Sequence, residues 1–290
     1  MKYSINTFLW TTEFNESHLA LLPQLKEQGY DGVEIARFNL DEFPVAKIRA
    51  MLEQTGLECT FCSGYAQPLS LVSNDSNIRQ KTFFHLCQVV EIAAELGAKT
   101  LAGPFCAPVG YFCGHRRTSD EWQRAVEGLQ LLGETLVQHD ITIALEPINR
   151  FETYFINTAA DAVALCEAVD HPHVGMMLDL FHANIEEKNI AQAIRNSAQH
   201  LKHLHLCEND RGIPGTGHLP WSDIFQALKE VEYKGWGAIE SFSPSVPETA
   251  VLGYIWRDII STPEAMIGEG LRFLKQQSTT VAKSIALGRY

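Results

Sequence analysis

Short apolar runs alternate with longer amphipathic runs from one end of the chain to the other. The short runs are YSIN (3–6), GVEIA (32–36), LECTFC (57–62), KTLAG (99–103), ITIALE (141–146), VGMMLD (174–179), LKHLHL (201–206) and GAIES (237–241). Their length and apolar content predict eight strands. Between them, apolar residues recur at helical spacing. Ser17–Gln28 carries Leu19, Leu22 and Leu25 and closes on Gly29, and Asn77–Leu96 closes on Gly97. Ser119 is placed to cap a helix running to His139, and Thr158 one ending near Val169. Trp221–Val231 and Pro263–Lys275 complete the main set, with weaker patterns at Val45–Gln54 and Ile190–Ser197.

Strands alternating with helices predict a parallel sheet, because each crossover helix returns the chain to the same end. Eight such units in about 250 residues fit a closed barrel. We therefore expect an α/β fold, a single (β/α)8 TIM barrel over residues 1–277. An open doubly wound sheet would bring a glycine-rich phosphate turn after the first strand, and TFLWTTEF has no glycine. The polar stretch 278–290 shows no clear period and is expected to be a tail, either a disordered end or an appended segment.

Composition narrows the partners. The net charge of −12, from 23 Lys+Arg against 35 Asp+Glu, repels phosphate backbones and anionic membrane surfaces. No nucleic acid and no membrane is expected. MKYSINTFLW lacks the apolar core and cleavage site of a signal peptide, and no run of about 18 apolar residues could span a bilayer. The seven cysteines are scattered, and the Cys59/Cys62 pair falls in a strand, where it reads as core thiols. A cytoplasmic, reducing environment is expected.

The chemistry sits where the strands end. In a barrel of this kind the active site lies at the C-terminal face of the strands. Strand five ends at Glu146, strand six at Asp179, strand seven at His205 and strand eight at Glu240. Carboxylates brought so close repel one another unless a cation or a proton sits among them. Three carboxylates and one imidazole form a mostly oxygen set. It suits one divalent metal ion, Mn²⁺ foremost, with Co²⁺ or Mg²⁺ as alternatives, and leaves about two octahedral positions for neighbouring sugar oxygens. His203 faces the same way as His205 one layer deeper and reads as a core histidine. His182, Arg211 and Glu152 fall on loops over the mouth. GIPGTGH (212–218) lacks P-loop spacing and reads as a plain turn.

These residues resemble the ketose 3-epimerases, the D-tagatose and D-psicose (allulose) 3-epimerase family within the xylose isomerase-like barrels. The resemblance runs from NTFLWTTEF to Trp256–Asp258. It is most specific at LEPINRFE, LDLFHANIEE, HLHLCENDRGIPGTGHLPW and Glu240–Phe242. It implies metal ligands at Glu146, Asp179, His205 and Glu240, polar sugar contacts at Glu152, His182 and Arg211, and aromatic contacts at Phe14 and Phe242. It also implies a small free sugar as substrate and a homodimer or homotetramer. The chain departs from some members at Asn6, where they carry an aromatic, and in GPFCAPVGYFCG, which lacks a tryptophan. Both positions bear on the far end of the sugar. The implied reaction is metal-dependent epimerisation at C3 of a free ketose: D-tagatose, D-fructose/D-psicose, or a ketopentose such as ribulose. It would pass through a cis-enediolate, with Glu146 and Glu240 as acid and base on opposite faces. The alternative is a ketose–aldose isomerase on the same barrel. A metal nuclease of the abasic-site type would need more metal ligands and a basic surface. A non-catalytic sugar-binding barrel would need neither glutamate.

Overall fold

The computed structural model describes residues 1–286. Its strands are β1 (Lys2–Ile5), β2 (Gly32–Ala36), β3 (Glu58–Cys62), β4 (Thr100–Gly103), β5 (Thr142–Leu145), β6 (Val174–Asp179), β7 (Leu201–His205) and β8 (Trp236–Ile239). Neighbours pair in parallel in the order β1-β8-β7-β6-β5-β4-β3-β2. The remaining seam, between β2 and β1, closes through a parallel bridge of Asn6 with Glu34. This is the (β/α)8 barrel that the alternation predicts.

Side chains on the strands alternate between two cores. Ile5, Val33, Ile35, Phe61, Leu101, Ile143, Leu145, Leu178 and Leu204 point outward and join the large core beneath the helices. The alternate positions fill the lumen. They are small or apolar on one side, with Ala102, Ala144 and Met177. On the other side they are polar, with Ser4, Glu34, Thr60 and His203 all fully or almost fully buried.

The outer helices are α1 (Leu21–Gln28), α2 (Val45–Thr55), α3 (Ser76–Leu96), α4 (Ser119–His139), α5 (Ala159–Val169), α6 (Leu180–Glu186), α7 (Ile190–Ser197), α8 (Trp221–Glu230), α9 (Pro247–Leu252), α10 (Pro263–Ala265) and α11 (Leu271–Ala286). Several ends differ from the sequence expectation by a residue or more. Thr118, not Ser119, caps α4, because the Glu121 carboxylate returns the bond to the Thr118 amide and completes a capping box. The first helix begins at Leu21, since Glu16–His18 forms a separate 3₁₀ turn capped by Asn15. Helices α6 and α9 are too short to show a period and were not expected.

The stretch after 277 requires a correction. Helix α11 runs on without a break to Ala286, and Val281 is buried against the main core. One apolar anchor in a polar segment leaves little periodic signal, although the backbone stays helical. Residues 287–290 of the expected tail lie outside the described residues. Among the described residues, no helix is long and apolar enough to cross a membrane.

Candidate active site and metal centre

The four strand-end residues converge. His205 Nδ1 lies 3.3 Å from Asp179 Oδ2, 3.3 Å from Glu240 Oε2 and 3.9 Å from Glu146 Oε1. Ligand atoms of Glu146, Asp179 and His205 all lie within 4.8 Å of one another. All four side chains are buried. Glu146 and Glu240 line a cavity of about 290 Å³ at the strand C-termini.

Each side chain is aimed by local structure. Asp179 ends β6 and is also the N-cap of α6. Its Oδ1 accepts from the amides of Phe181 (2.7 Å) and His182 (3.2 Å), which turns Oδ2 toward the cluster. Arg211 reaches across the cluster: Nη1 donates to Asp179 Oδ2 at 2.6 Å and to Glu240 Oε2 at 2.7 Å. Its guanidinium lies over the rings of Phe181 (4.3 Å) and Phe242 (5.3 Å). The Arg211 backbone sits at φ +68°, an uncommon conformation for a residue with a side chain. It is pinned there by its amide on Glu208 O and by the Ser241 hydroxyl on its carbonyl (2.6 Å).

Burial sets the charges. It pushes the Glu146 carboxyl well above the usual range, reinforced by the neighbouring Glu240 and Asp179 and opposed by His205 and Arg211. Burial also opposes ionisation of Asp179, but the Arg211 guanidinium prevails and holds it well below its ordinary value. Burial lowers His182 to about 3, so its ring is neutral. Its Nδ1 faces the Asn149 amide at 3.3 Å, and its Nε2 faces Arg211 Nη2 at 3.3 Å and Glu146 Oε1 at 3.9 Å. Glu152 lines the cavity, is tied to Asn149 Nδ2 at 2.8 Å, and is raised by burial.

The structure thus brings Glu146, Asp179, His205, Glu240, Glu152, His182, Arg211 and Phe242 to one place. Phe14 is the exception and a correction. It is fully buried in the outer core beside His18, its carbonyl held by Arg37 Nη1 at 3.0 Å, and it is not in the cavity wall. The 3₁₀ turn Thr7–Leu9 instead brings Phe8 to the cavity, stacked on Phe242 at 5.6 Å. Phe38, Tyr65, Phe181 and Tyr254 also line it and were missed, since single aromatics in loops carry no periodic signal.

Two other groups have structural roles. The GIPGTGH segment is wrapped around Glu208, a fully buried carboxylate. Glu208 accepts from the amides of Asn209 (3.2 Å), Gly215 (2.8 Å) and Leu219 (3.1 Å) and from the Trp221 indole (2.8 Å). Within the segment the amides of Gly212, Gly215, Thr216 and His218 are taken by Asp210 Oδ1, Glu208 Oε2, Ile213 O and Asn209 Oδ1, in keeping with a turn rather than a phosphate cradle. A side chain on Gly217 would run into Asn209 and Glu208. A second group of metal-type residues joins Cys113 and His115 of the β4–α4 loop with Glu121 in the first turn of α4. There Glu121 is already engaged by Thr118 and by the Tyr154 hydroxyl (2.8 Å). All seven cysteines are free, and burial pushes Cys59 up to about 12.

A parallel barrel with a buried cluster of carboxylates and imidazole at its mouth defines a class of enzymes acting on small polar substrates. Comparison with known proteins narrows it. Residues 22–277 match the xylose isomerase-like TIM barrel family. A probable ketose 3-epimerase of Synechocystis sp. is 36% identical over 97% of this chain and 98% of its own length. A D-psicose 3-epimerase of Enterocloster bolteae is 31% identical over 90% of this chain and 88% of its own. An L-ribulose 3-epimerase of known structure superposes with a TM-score of 0.94, at 26% identity, over 100% of this chain and 98% of that one. The chain belongs to the ketose 3-epimerases of the xylose isomerase-like TIM barrel family, and is a carbohydrate epimerase.

Proposed function

We propose that this protein epimerises free ketohexoses and ketopentoses at C3, holding one divalent cation, Mn²⁺ foremost, on Glu146, Asp179, His205 and Glu240. The observation that carries this reading is the convergence of those four side chains, from consecutive strands, with Glu146 and Glu240 lining the cavity. Three carboxylates and an imidazole fit an oxygen-preferring cation; ligand atoms of Glu146, Asp179 and His205 lie within 4.8 Å of one another, and Glu240 Oε2 lies 3.3 Å from His205 Nδ1. Such a cation would offset the repulsion within the cluster, polarise the ketone, and stabilise the negative charge that develops on O2 and O3.

The chain's own residues supply the rest. Glu146 and Glu240 follow directly on strands five and eight, from where they would flank the substrate's C3. One removes the C3 proton, and the other returns a proton to the opposite face of the planar enediolate. Their roles exchange for the reverse substrate. Neutral His182, in the cavity wall, hydrogen-bonds a sugar oxygen without adding charge. Arg211 holds the O1–O2 end, and Glu152 receives a hydroxyl proton. Phe8, Phe38 and Phe242 wall the cavity and limit water around the reacting carbon.

The test is incubation with a panel of free ketohexoses and ketopentoses and added Mn²⁺ in deuterated water, with products separated by chromatography. A C3 epimer carrying deuterium at C3 is expected. An aldose product would instead identify a ketose–aldose isomerase, and sugar binding without turnover would identify a binding barrel.

A further inference from the structure

Glu34 is a charged residue in the middle of β2, fully buried inside the barrel, below the mouth. An uncompensated carboxylate there would carry a large desolvation penalty. It is held from four sides. Oε1 accepts from Asn6 Nδ2 (3.0 Å) and meets His205 Nε2 at 2.8 Å. Oε2 accepts from Thr60 Oγ1 (3.0 Å), and His203 Nε2 lies 2.7 Å away, off the line of a good hydrogen bond. The same Asn6 amide also reaches Glu240 Oε1 at 3.4 Å.

We propose that Glu34 is a positioning residue that fixes the His205 ring with Nδ1 toward the carboxylates and so sets the cation affinity of the site. The inference rests on the metal-site reading given above. An imidazole can bind a cation through either nitrogen, and its other nitrogen decides which. The Glu34 carboxylate opposite Nε2 requires the ring proton there. That leaves the Nδ1 lone pair facing Asp179 and Glu240. Thr60 and Asn6 keep the Glu34 carboxylate from turning. Through Asn6 the same carboxylate is joined to Glu240, so it steadies two of the four ligands. Glutamine at position 34 would preserve the shape but could present N–H to His205 Nε2. That would move the ring proton to Nδ1, where it blocks coordination.

Direct Mn²⁺ titration, read by the electron paramagnetic resonance of the free ion, tests this on the wild type, Glu34→Gln, Thr60→Val and Asp179→Asn. Glu34→Gln is expected to keep its circular dichroism but bind Mn²⁺ on the order of 10–100-fold more weakly, with an altered visible spectrum of the Co²⁺ form. Thr60→Val, which removes one bond to Glu34 at constant shape, is expected to weaken binding a few-fold. It decides the matter if Glu34→Gln does not fold. Wild-type affinity and an unchanged Co²⁺ spectrum in Glu34→Gln would overturn the role of Glu34 alone. So would unchanged binding in Thr60→Val should Glu34→Gln not fold. A wild type that binds no Mn²⁺, or an Asp179→Asn variant that binds it equally well, would overturn the metal-site reading and this inference with it.

Discussion

Single side chains decide the chemistry. Glu146 and Glu240 are the two carboxylates that share both the cluster and the cavity. Glu146→Gln and Glu240→Gln keep the shape and remove the carboxylate that the proposed scheme uses to carry the proton. Each is expected to lower kcat by roughly 10²–10⁴-fold or more, with KM changed much less. Steady-state kinetics on the best ketose measures this, and near-normal kcat in either variant would remove the two-base scheme. These residues were legible in the sequence because each closes an apolar run, and strand ends meet in a barrel. Glu34 was not. In GVEIA it is flanked by Val33 and Ile35, which face the helices, so alternation alone suggests an exposed or salt-bridged glutamate. Only barrel closure shows that the opposite face of the strand is a lumen. Phe14 failed for another reason: the path of an irregular loop is set by tertiary contacts, here with Arg37, that spacing does not encode.

Elements position those side chains, and their ends hold measurable stability. Helix α5 starts with a capping box of Thr158 and Asp161, and Asp161 Oδ1 also pairs with Arg117 at 2.7 Å. Burial opposes the charge of Asp161, but the Arg117 hydrogen bond and charge hold its carboxyl below the ordinary 3.8. A depressed value in the folded state means that the stabilisation is complete above the ordinary value and is lost as pH falls through the lower folded one. Asp161→Asn is expected to cost about 1 kcal/mol near neutral pH, a figure kept small because the pair is partly screened by water. The difference from wild type should fade in acid. Urea unfolding across pH measures it, and a difference constant with pH would sink the idea. Thr158 was legible as a cap from its place before an apolar period. The α4 cap was misplaced by one residue because Thr118 and Ser119 are both good caps, and only the Glu121 bond separates them.

At the scale of the whole molecule, eight alternations were enough to give the barrel, since parallel strands with short crossovers have few ways to close. The C-terminal helix was under-read because Val281 is its sole buried residue beyond 277 among those whose burial is described. Loading the mouth should be felt by the entire fold. An ion bound only by the native state, at 100 times its Kd, adds about 2.7 kcal/mol. For a chain of 290 residues, that corresponds to a rise in Tm of roughly 4–5 °C. Differential scanning calorimetry with and without Mn²⁺ should show it in the wild type and not in Asp179→Asn. Equal shifts in both would place the ion elsewhere.

The β7–α8 connection hangs from one buried group. Glu208 receives the amides of Gly215 and Leu219 as well as the Trp221 indole, so releasing either amide takes a hydrogen bond from one buried carboxyl group and loosens the anchor of the other. The protons at 215 and 219 should therefore trade for deuterium with a common rate constant, as one opening event. The segment that carries Arg211 into the cavity wall would then swing as a unit or not at all.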